Sequence, residues 1–139
     1  MTNAKDPWWI IGSAALALHL KQDIAVNDID VLLSVDDARI VRAALAIPSA
    51  AISPHPLFHS EEYFTWDRNN VPVEFMAGFS VCVAGEWQVV SCQTRLAVDV
   101  AGQAIYVPDL AELASLLALF GRPKDRERLA LIKERSFSV

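Results

Sequence analysis

The stretch Asp28-Ile29-Asp30-Val31-Leu32-Leu33 constrains the fold more than any other part of the chain. Its length and apolar content predict a β-strand over Asp28 to Leu33. Side chains alternate between the faces of a strand, so Asp28 and Asp30 point the same way, while Ile29 and Val31 point into the opposite layer. Two carboxylates at this spacing beside an apolar run are costly unless they meet water, hydrogen-bond donors or a cation. A divalent metal would remove the conflict, so the stretch predicts a strand that carries a metal site.

Short strands and helices alternate along the rest of the chain, with no repeat or linker-like segment. We expect strands at 28–33, 63–66, 71–76, 87–90, 95–100 and 104–107, and a strand or a helix lead-in at 8–11. We expect helices over 14–20, from 34 until Pro48, over 109–121 and from 123 to about 135. The strands at 63–66 and 71–76 predict a hairpin, and 104–107 is expected to pair back on 95–100. The predicted fold class is therefore α+β or α/β, with a short mixed β-sheet, flanking helices and C-terminal helices in one domain over 1–139.

Residues at the predicted helix ends support these boundaries. Ser13 is a predicted N-cap, and Ser34 and Asp109 each have an acid three residues on, as in a capping box. Gly121 is expected to stop the third helix, and Pro123 fits the first turn of the last one.

Charge is distributed unevenly along the 139 residues, whose formal net charge is −5. The segment from Arg122 to Arg135 holds six basic and three acidic residues, which leaves six basic and fourteen acidic residues elsewhere. An acidic body argues against a protein that coats nucleic acid through a general basic surface. Cys82 and Cys92 lack metal-ligand spacing and are predicted to be reduced, packed thiols.

An apolar run from Trp8 to Leu20 imitates the core of a secretory signal. It is shorter than the roughly 20 residues that span a bilayer. Asp6 beside Lys5 removes the net positive charge that usually precedes such a core. The sequence therefore predicts a cytoplasmic protein with no membrane segment.

Gly12 and Ser13, ahead of the first predicted helix, are residue types that suit an anion site. The first turn of a helix offers unpaired backbone N–H groups and the positive end of its dipole, which suit a β,γ-phosphate. Gly12 would let a phosphate approach the backbone, and Ser13 would add a hydroxyl donor. Mg²⁺ prefers oxygen ligands and is usually held by one or two carboxylates together with substrate phosphates. Next to Asp28 and Asp30, the pair predicts a site for Mg²⁺ and a triphosphate.

A third acid, Glu74, lies between Val73 and Phe75 in the predicted strand at 71–76. If this strand neighbours the first, Glu74 would complete the cluster as a general base or as a further metal ligand. The alternative is a surface hairpin that exposes Glu74 to water.

The order of these motifs resembles the nucleotidyltransferase superfamily: an apolar residue, Gly12-Ser13, a helix, Asp-Ile-Asp-Val on a strand, and later an isolated acid between apolar residues. The stretches 11–19, 28–33, 73–76 and 121–128 look like the small AbiEii-type or minimal nucleotidyltransferase group. The resemblance covers about 8–132, most of the chain.

The resemblance implies an enzyme that transfers a nucleoside monophosphate from an NTP to an acceptor hydroxyl and releases pyrophosphate. It implies Mg²⁺ as cofactor, with Asp28, Asp30 and Glu74 as catalytic acids and metal ligands. Gly12 and Ser13 would contact the triphosphate.

Arg122 and Lys124 lie in a run that the resemblance also covers, so either side chain could reach a phosphate. The alternative is a solvated helix start, which is the usual fate of mixed charges.

Other functions are open at this point. A catalytically weak or inactive binding module of the same fold, such as a toxin–antitoxin or phage-defence component, would suit a chain with little room for an acceptor pocket. A haloacid-dehalogenase-like phosphatase shares Asp-x-Asp, but it expects Thr or Val where this chain has Leu32. A glycosyltransferase with that motif needs a longer domain. The acceptor is expected to be a small molecule, a protein or an RNA end, and the partner a second copy or an antitoxin-type protein.

Overall fold

The computed structural model describes residues 4–21, 24–48, 51–68 and 70–137, without the side chains of 135–137. The strands in these ranges are β1 (Trp9–Ile11), β2 (Ile29–Leu33), β3 (Phe58–His59), β4 (Glu62–Trp66), β5 (Val73–Ala77), β6 (Ser80–Val83), β7 (Glu86–Val89), β8 (Leu96–Val100) and β9 (Gln103–Val107). The helices are α1 (Gly12–Leu20), α2 (Val35–Ala44), α3 (Leu110–Phe120) and α4 (Pro123–Phe137). Helices beside short, largely antiparallel sheets make an α+β fold, as the sequence predicts.

The largest sheet has the strand order β1-β2-β5-β4. It is mixed, as predicted, because β2 and β5 run parallel while β1–β2 and β5–β4 are antiparallel pairs. The predicted hairpin is confirmed as β4 and β5. The predicted pairing of 95–100 with 104–107 is confirmed as β8 and β9, although these two strands form a sheet of their own. A third sheet has the order β3-β6-β7.

The two faces of the largest sheet are covered differently. On one face, Ile10, Val31, Phe64 and Phe75 are buried in a core that includes residues of α1, α2 and α3. On the other face, apolar residues of β1, β2 and β5 pack against the segment from β6 to Cys92 and against α3. On this second face the register sets one row of residues side by side across the four strands: Ile11, Asp30, Glu74 and Thr65. The polar side chains of this row therefore lie next to the covered apolar part of the same face.

Two of the three predicted N-caps are confirmed. The side chains of Ser34 and Asp109 each accept the backbone N–H three residues on, at 3.1 and 2.8 Å. The prediction that Ser13 caps α1 is wrong, because Ile11 is the N-cap and α1 has no side-chain cap. Gly12, with φ of +71°, turns the chain directly after the extended Ile11, so the helix begins before Ser13.

Other boundaries differ by a few residues. The structure begins β2 at Ile29 rather than Asp28, and α2 ends at Ala44 rather than just before Pro48. Gly121, with φ of +64°, ends α3, and Pro123 opens α4, both as predicted. Residues 22–23, 49–50 and 69, which fall between the predicted helices and strands, lie outside the described residues.

Cys82 and Cys92 are free thiols, as predicted. None of the helices in the described ranges combines the length and the apolar character that crossing a membrane requires.

Candidate functional site

Three acids that are far apart in sequence meet on the second face of the largest sheet. Asp30 and Glu74 are register partners in the parallel pair β2–β5, so their side chains leave the same face. Asp28 lies two residues before Asp30, and one carboxylate oxygen of each of the three acids lies within 4.8 Å of the other two. We call Asp28, Asp30 and Glu74 the carboxylate cluster. All three residues are half-buried, so Glu74 is not an isolated charge on an exposed hairpin.

Burial and negative neighbours act together on Asp30. Desolvation by burial is the largest effect, followed by the charge of Asp28 and by a hydrogen bond and the charge of Glu74; together they raise the pKa of Asp30 from 3.8 to about 8. The positive charge of Arg122 opposes this rise. The carboxyl group of Asp30 therefore holds a proton at neutral pH when no cation is nearby. Three adjacent oxygen donors that cannot all ionise on their own fit a hard divalent cation, because the cation would compensate their repulsion.

Gly12 lies against the carboxylate cluster. A Cβ atom built on Gly12 would be 2.8 Å from Asp30 Oδ2, and its φ of +71° is a conformation that favours glycine. Ser13 is only 2% exposed, and neither residue lines the cavity described below. The structure thus explains the glycine by its contact with Asp30, while the predicted contacts of Gly12 and Ser13 with a triphosphate stay predictions.

Two polar residues of β4, Tyr63 and Thr65, extend the site. Thr65 is the register partner of Glu74, and the Tyr63 hydroxyl donates a hydrogen bond to the Glu74 carboxylate. Desolvation and the charge of Glu74 raise the pKa of Tyr63 to about 12, so its hydroxyl stays protonated and remains a donor. Neither residue was predicted from the sequence. The alternation Tyr63-Phe64-Thr65-Trp66 carried the signal, because it places a polar face on the strand beside Glu74.

A cavity of about 560 Å³ opens onto the carboxylate cluster. Aromatic side chains from β3, from the segment between β5 and β6 and from the end of α3 form part of its wall: Phe58, Phe79 and Phe120. Three basic side chains, one just before α4 and two within it, also line the cavity: Arg122, Lys124 and Arg128. Concave sites with an apolar wall and a few convergent polar groups are typical of small-molecule binding.

Both basic residues proposed from the sequence therefore reach the cavity. Lys124 is exposed at its rim, and Arg122 is half-buried, close enough to Asp30 to act on its charge. Arg128 was not predicted from the sequence as a site residue. The signal was present, since Lys124 and Arg128 are four residues apart and share one face of a helix.

His19 does not line the cavity. Its Nε2 atom is 2.7 Å from the carbonyl oxygen of Pro108, a contact that ties α1 to the residue after β9. His55 and His59 both line the cavity. Among the described residues, the acids that could jointly hold a metal ion are those of the carboxylate cluster.

Comparison with known proteins gives a match at the level of structure. No family model matches the chain, and none of the curated proteins matches it. The chain is similar to the crystal structure of a provisionally assigned nucleotidyltransferase from Thermotoga maritima, with a TM-score of 0.73 and 20% sequence identity. The match covers 97% of this chain and 86% of that one. It shows a nucleotidyltransferase-like fold, as predicted, while the AbiEii-type group and the roles of the individual residues stay predictions.

Proposed function

We propose that the protein is a Mg²⁺-dependent nucleotidyltransferase that transfers a nucleoside monophosphate from an NTP to an acceptor hydroxyl. One observation carries the proposal: the carboxylate cluster opens onto a cavity that three basic side chains also line. Carboxylates suit the cation and basic groups suit the phosphates, so the cavity has a place for each charged part of a metal–nucleotide complex. The nucleotidyltransferase-like fold supports the same function.

Asp28, Asp30 and Glu74 would hold the cation, since their oxygens are adjacent and their mutual repulsion disfavours full ionisation without it. When bound, Mg²⁺ supplies Lewis-acid polarisation of the phosphoryl oxygens and neutralises part of their charge. The half-buried environment of these acids strengthens such charge interactions relative to bulk water.

The other residues of the cavity would bind and orient the substrates. Arg122 and Lys124, which line the cavity, bind phosphate oxygens. The acceptor oxygen attacks the α-phosphorus, the bond from this phosphorus to the oxygen bridging to the β-phosphorus breaks, and pyrophosphate leaves. Glu74 takes up the proton of the acceptor hydroxyl, and the hydrogen bond from Tyr63 orients Glu74 for this role.

The finer assignment to the small AbiEii-type or minimal nucleotidyltransferase group rests on the motif order alone. We propose as acceptor a hydroxyl of a small molecule, a protein or an RNA end. A second copy of the chain or an antitoxin-type protein is the partner that this group assignment suggests.

The test is to incubate the protein with each α-labelled NTP and Mg²⁺ and to measure nucleotide binding, pyrophosphate release and label transfer to candidate acceptors. We expect binding and transfer that need Mg²⁺, that EDTA removes, and that Glu74→Gln abolishes. Asp36→Asn is a matched control, because Asp36 is an exposed acid on α2 away from the cavity. Absence of NTP binding by calorimetry at millimolar NTP would contradict the proposal.

A further inference from the structure

A fully buried acid, Asp125, is bonded to a basic residue that lines the cavity. Asp125 has no exposed surface, although it belongs to the first turn of α4. Its carboxylate accepts three hydrogen bonds from Arg122: from the backbone N–H at 3.2 Å, from Nε at 2.6 Å and from the second terminal nitrogen at 3.0 Å. The two side-chain bonds form a bidentate pair, which fixes the plane of the guanidinium.

A second arginine turns to the same acid. The first terminal nitrogen of Arg128 is 3.7 Å from Asp125 Oδ1, and the Arg128 side chain is 21% exposed. Arg122 is further held by Phe58, whose ring centroid is 4.9 Å from the central guanidinium carbon. Both arginines line the cavity that the carboxylate cluster faces.

Asp125 can act as a helix cap, and it can also hold an arginine side chain. Its bond to the Arg122 N–H is the return half of a capping arrangement at the start of α4, which is a structural role. Capping alone does not need an arginine. Asp109 caps α3 by accepting a backbone N–H, and no guanidinium of the described residues is bonded to it. The buried pair at Asp125 therefore does more than start a helix.

We propose that Asp125 is a positioning residue that holds Arg122 and Arg128 as a two-arginine clamp for the polyphosphate chain of the nucleotide, which makes Arg128 a further phosphate-binding residue. This inference rests on the proposed function for the identity of the natural ligand. We call Arg122, Arg128 and Asp125 the arginine clamp.

The chemistry of the arginine clamp suits a polyphosphate. A guanidinium has five N–H donors. Among the described contacts, two donors of the Arg122 guanidinium bond to Asp125, so the other three are available to a ligand. Two arginines and one carboxylate carry a net charge of +1, so an anion is attracted although Asp125 is present. Because the guanidinium is already fixed by Asp125 and Phe58, a ligand loses less of its binding free energy to ordering the side chain.

The place of the arginine clamp agrees with this ligand. The charge of Arg122 is felt by Asp30, so the arginine clamp and the carboxylate cluster act on the same space. A polyphosphate that spans this space would contact guanidinium groups on one side and the cation held by carboxylates on the other.

The test measures the Kd of ATP with Mg²⁺ and the Kd of inorganic tripolyphosphate by calorimetry. Asp125→Asn keeps a hydrogen-bond acceptor but removes the charge that orders the arginines, and we expect both Kd values to rise at least about 10-fold. The affinity for Mn²⁺ without nucleotide should stay within about 2-fold, because the carboxylate cluster is untouched. A positioning role also predicts a rise in KM, which loss of folded protein alone would not produce.

Asp109→Asn is the matched control, because it makes the same substitution at the cap of α3 without touching an arginine. It should leave both Kd values within about 2-fold of the wild type. Arg128→Gln and Arg122→Lys provide the test if Asp125→Asn fails to fold. Arg128→Gln removes the second guanidinium and Arg122→Lys keeps the charge without the planar pair, so each should weaken ATP and tripolyphosphate binding.

The outcomes separate the two proposals. If the wild type binds ATP and the folded Asp125→Asn or Arg128→Gln variant binds it equally well, the arginine clamp is wrong and the proposed function stands. If the wild type binds tripolyphosphate through these residues but does not bind ATP, the proposed function is wrong and the arginine clamp stands. Binding of neither ligand, or equal weakening in Asp109→Asn, overturns the arginine clamp.

Discussion

Asp37 and Asp30 are two acids that the fold removes from water, wholly or in part, yet their surroundings act on them in opposite directions. Asp37, in the first turn of α2, accepts backbone N–H groups from Lys5 at 3.0 Å and Asp6 at 2.8 Å. Burial alone would raise the pKa of Asp37, but these hydrogen bonds outweigh burial and lower it. Asp30 meets mainly other carboxylates, and its pKa is raised to about 8.

The difference is the one expected between an acid with a structural role and an acid with the functional role proposed for Asp30. The ionised form of Asp37 is stabilised by the protein itself, so Asp37 contributes to the free energy of folding. The protein does not stabilise the ionised form of Asp30. Placing Asp30 beside the other carboxylates therefore costs stability, as is common for groups at functional sites. Substitution of the two acids should therefore have opposite effects on stability.

The largest effect is expected for Asp30→Asn. Loss of a carboxylate ligand should lower nucleotide transfer by more than about 100-fold, the upper end of the cost of losing a group that supports a metal ligand. The same change should raise the Tm of the metal-free protein by about 3–5 °C for each kcal/mol of repulsion removed.

The raised pKa of Asp30 determines how this gain in stability depends on pH. The folded pKa of Asp30, about 8, lies above its unfolded value of 3.8, so its contribution to stability is complete below pH 3.8 and is lost as the pH rises to about 8. Thermal unfolding in EDTA should therefore show a larger gain for Asp30→Asn at pH 8 than at pH 5. Equal or lower stability of the variant at pH 8 would contradict the comparison.

Asp37→Ala is expected to have the opposite pattern. It removes two hydrogen bonds to a charged acceptor and should cost about 1.5–3 kcal/mol of unfolding free energy, measured by denaturant unfolding at pH 7. The pKa of Asp37 is lowered in the folded state, so its contribution is present above its unfolded pKa of 3.8 and is lost on acidification. The folded variant should retain transfer activity. Asp36→Ala, at the exposed neighbouring position, is the control and should change stability little.

The smallest effect is expected for Tyr63→Phe, which tests how the site orients its acids. Loss of one hydrogen bond to Glu74 corresponds to about 1 kcal/mol, or roughly a 5-fold lower kcat. Tyr106→Phe, the same substitution on β9 away from the cavity, should leave kcat unchanged. Equal rates for the wild type and Tyr63→Phe would show that this hydrogen bond does not orient Glu74.

Local patterns predicted much of this molecule. Alternation along β2 placed Asp28 and Asp30 together, and capping signals at Ser34 and Asp109 gave the starts of α2 and α3. These features depend on residues a few positions apart, so the sequence contains all the information that they need.

The features that the sequence did not predict depend on distant parts of the chain. Tyr63 reaches Glu74 because β4 lies beside β5, and Arg128 lines the cavity because α4 returns to it. Ser13 is not the N-cap because Gly12, which lies against Asp30, has a conformation that already starts the helix. Strand order and helix docking are set by the whole core, which no local pattern encodes.

The most direct test of the central claim is to count the protons released when Mn²⁺ or Mg²⁺ binds, by calorimetry at pH 7 in buffers of different ionisation enthalpy. Since pH 7 is below the pKa of about 8, Asp30 is protonated without a cation, and a bound cation must displace that proton. We predict release of about one proton per cation by the wild type at pH 7, and none by Asp30→Asn. Absence of cation binding, or binding without proton release at pH 7, would contradict the assignment of the carboxylate cluster as the metal site.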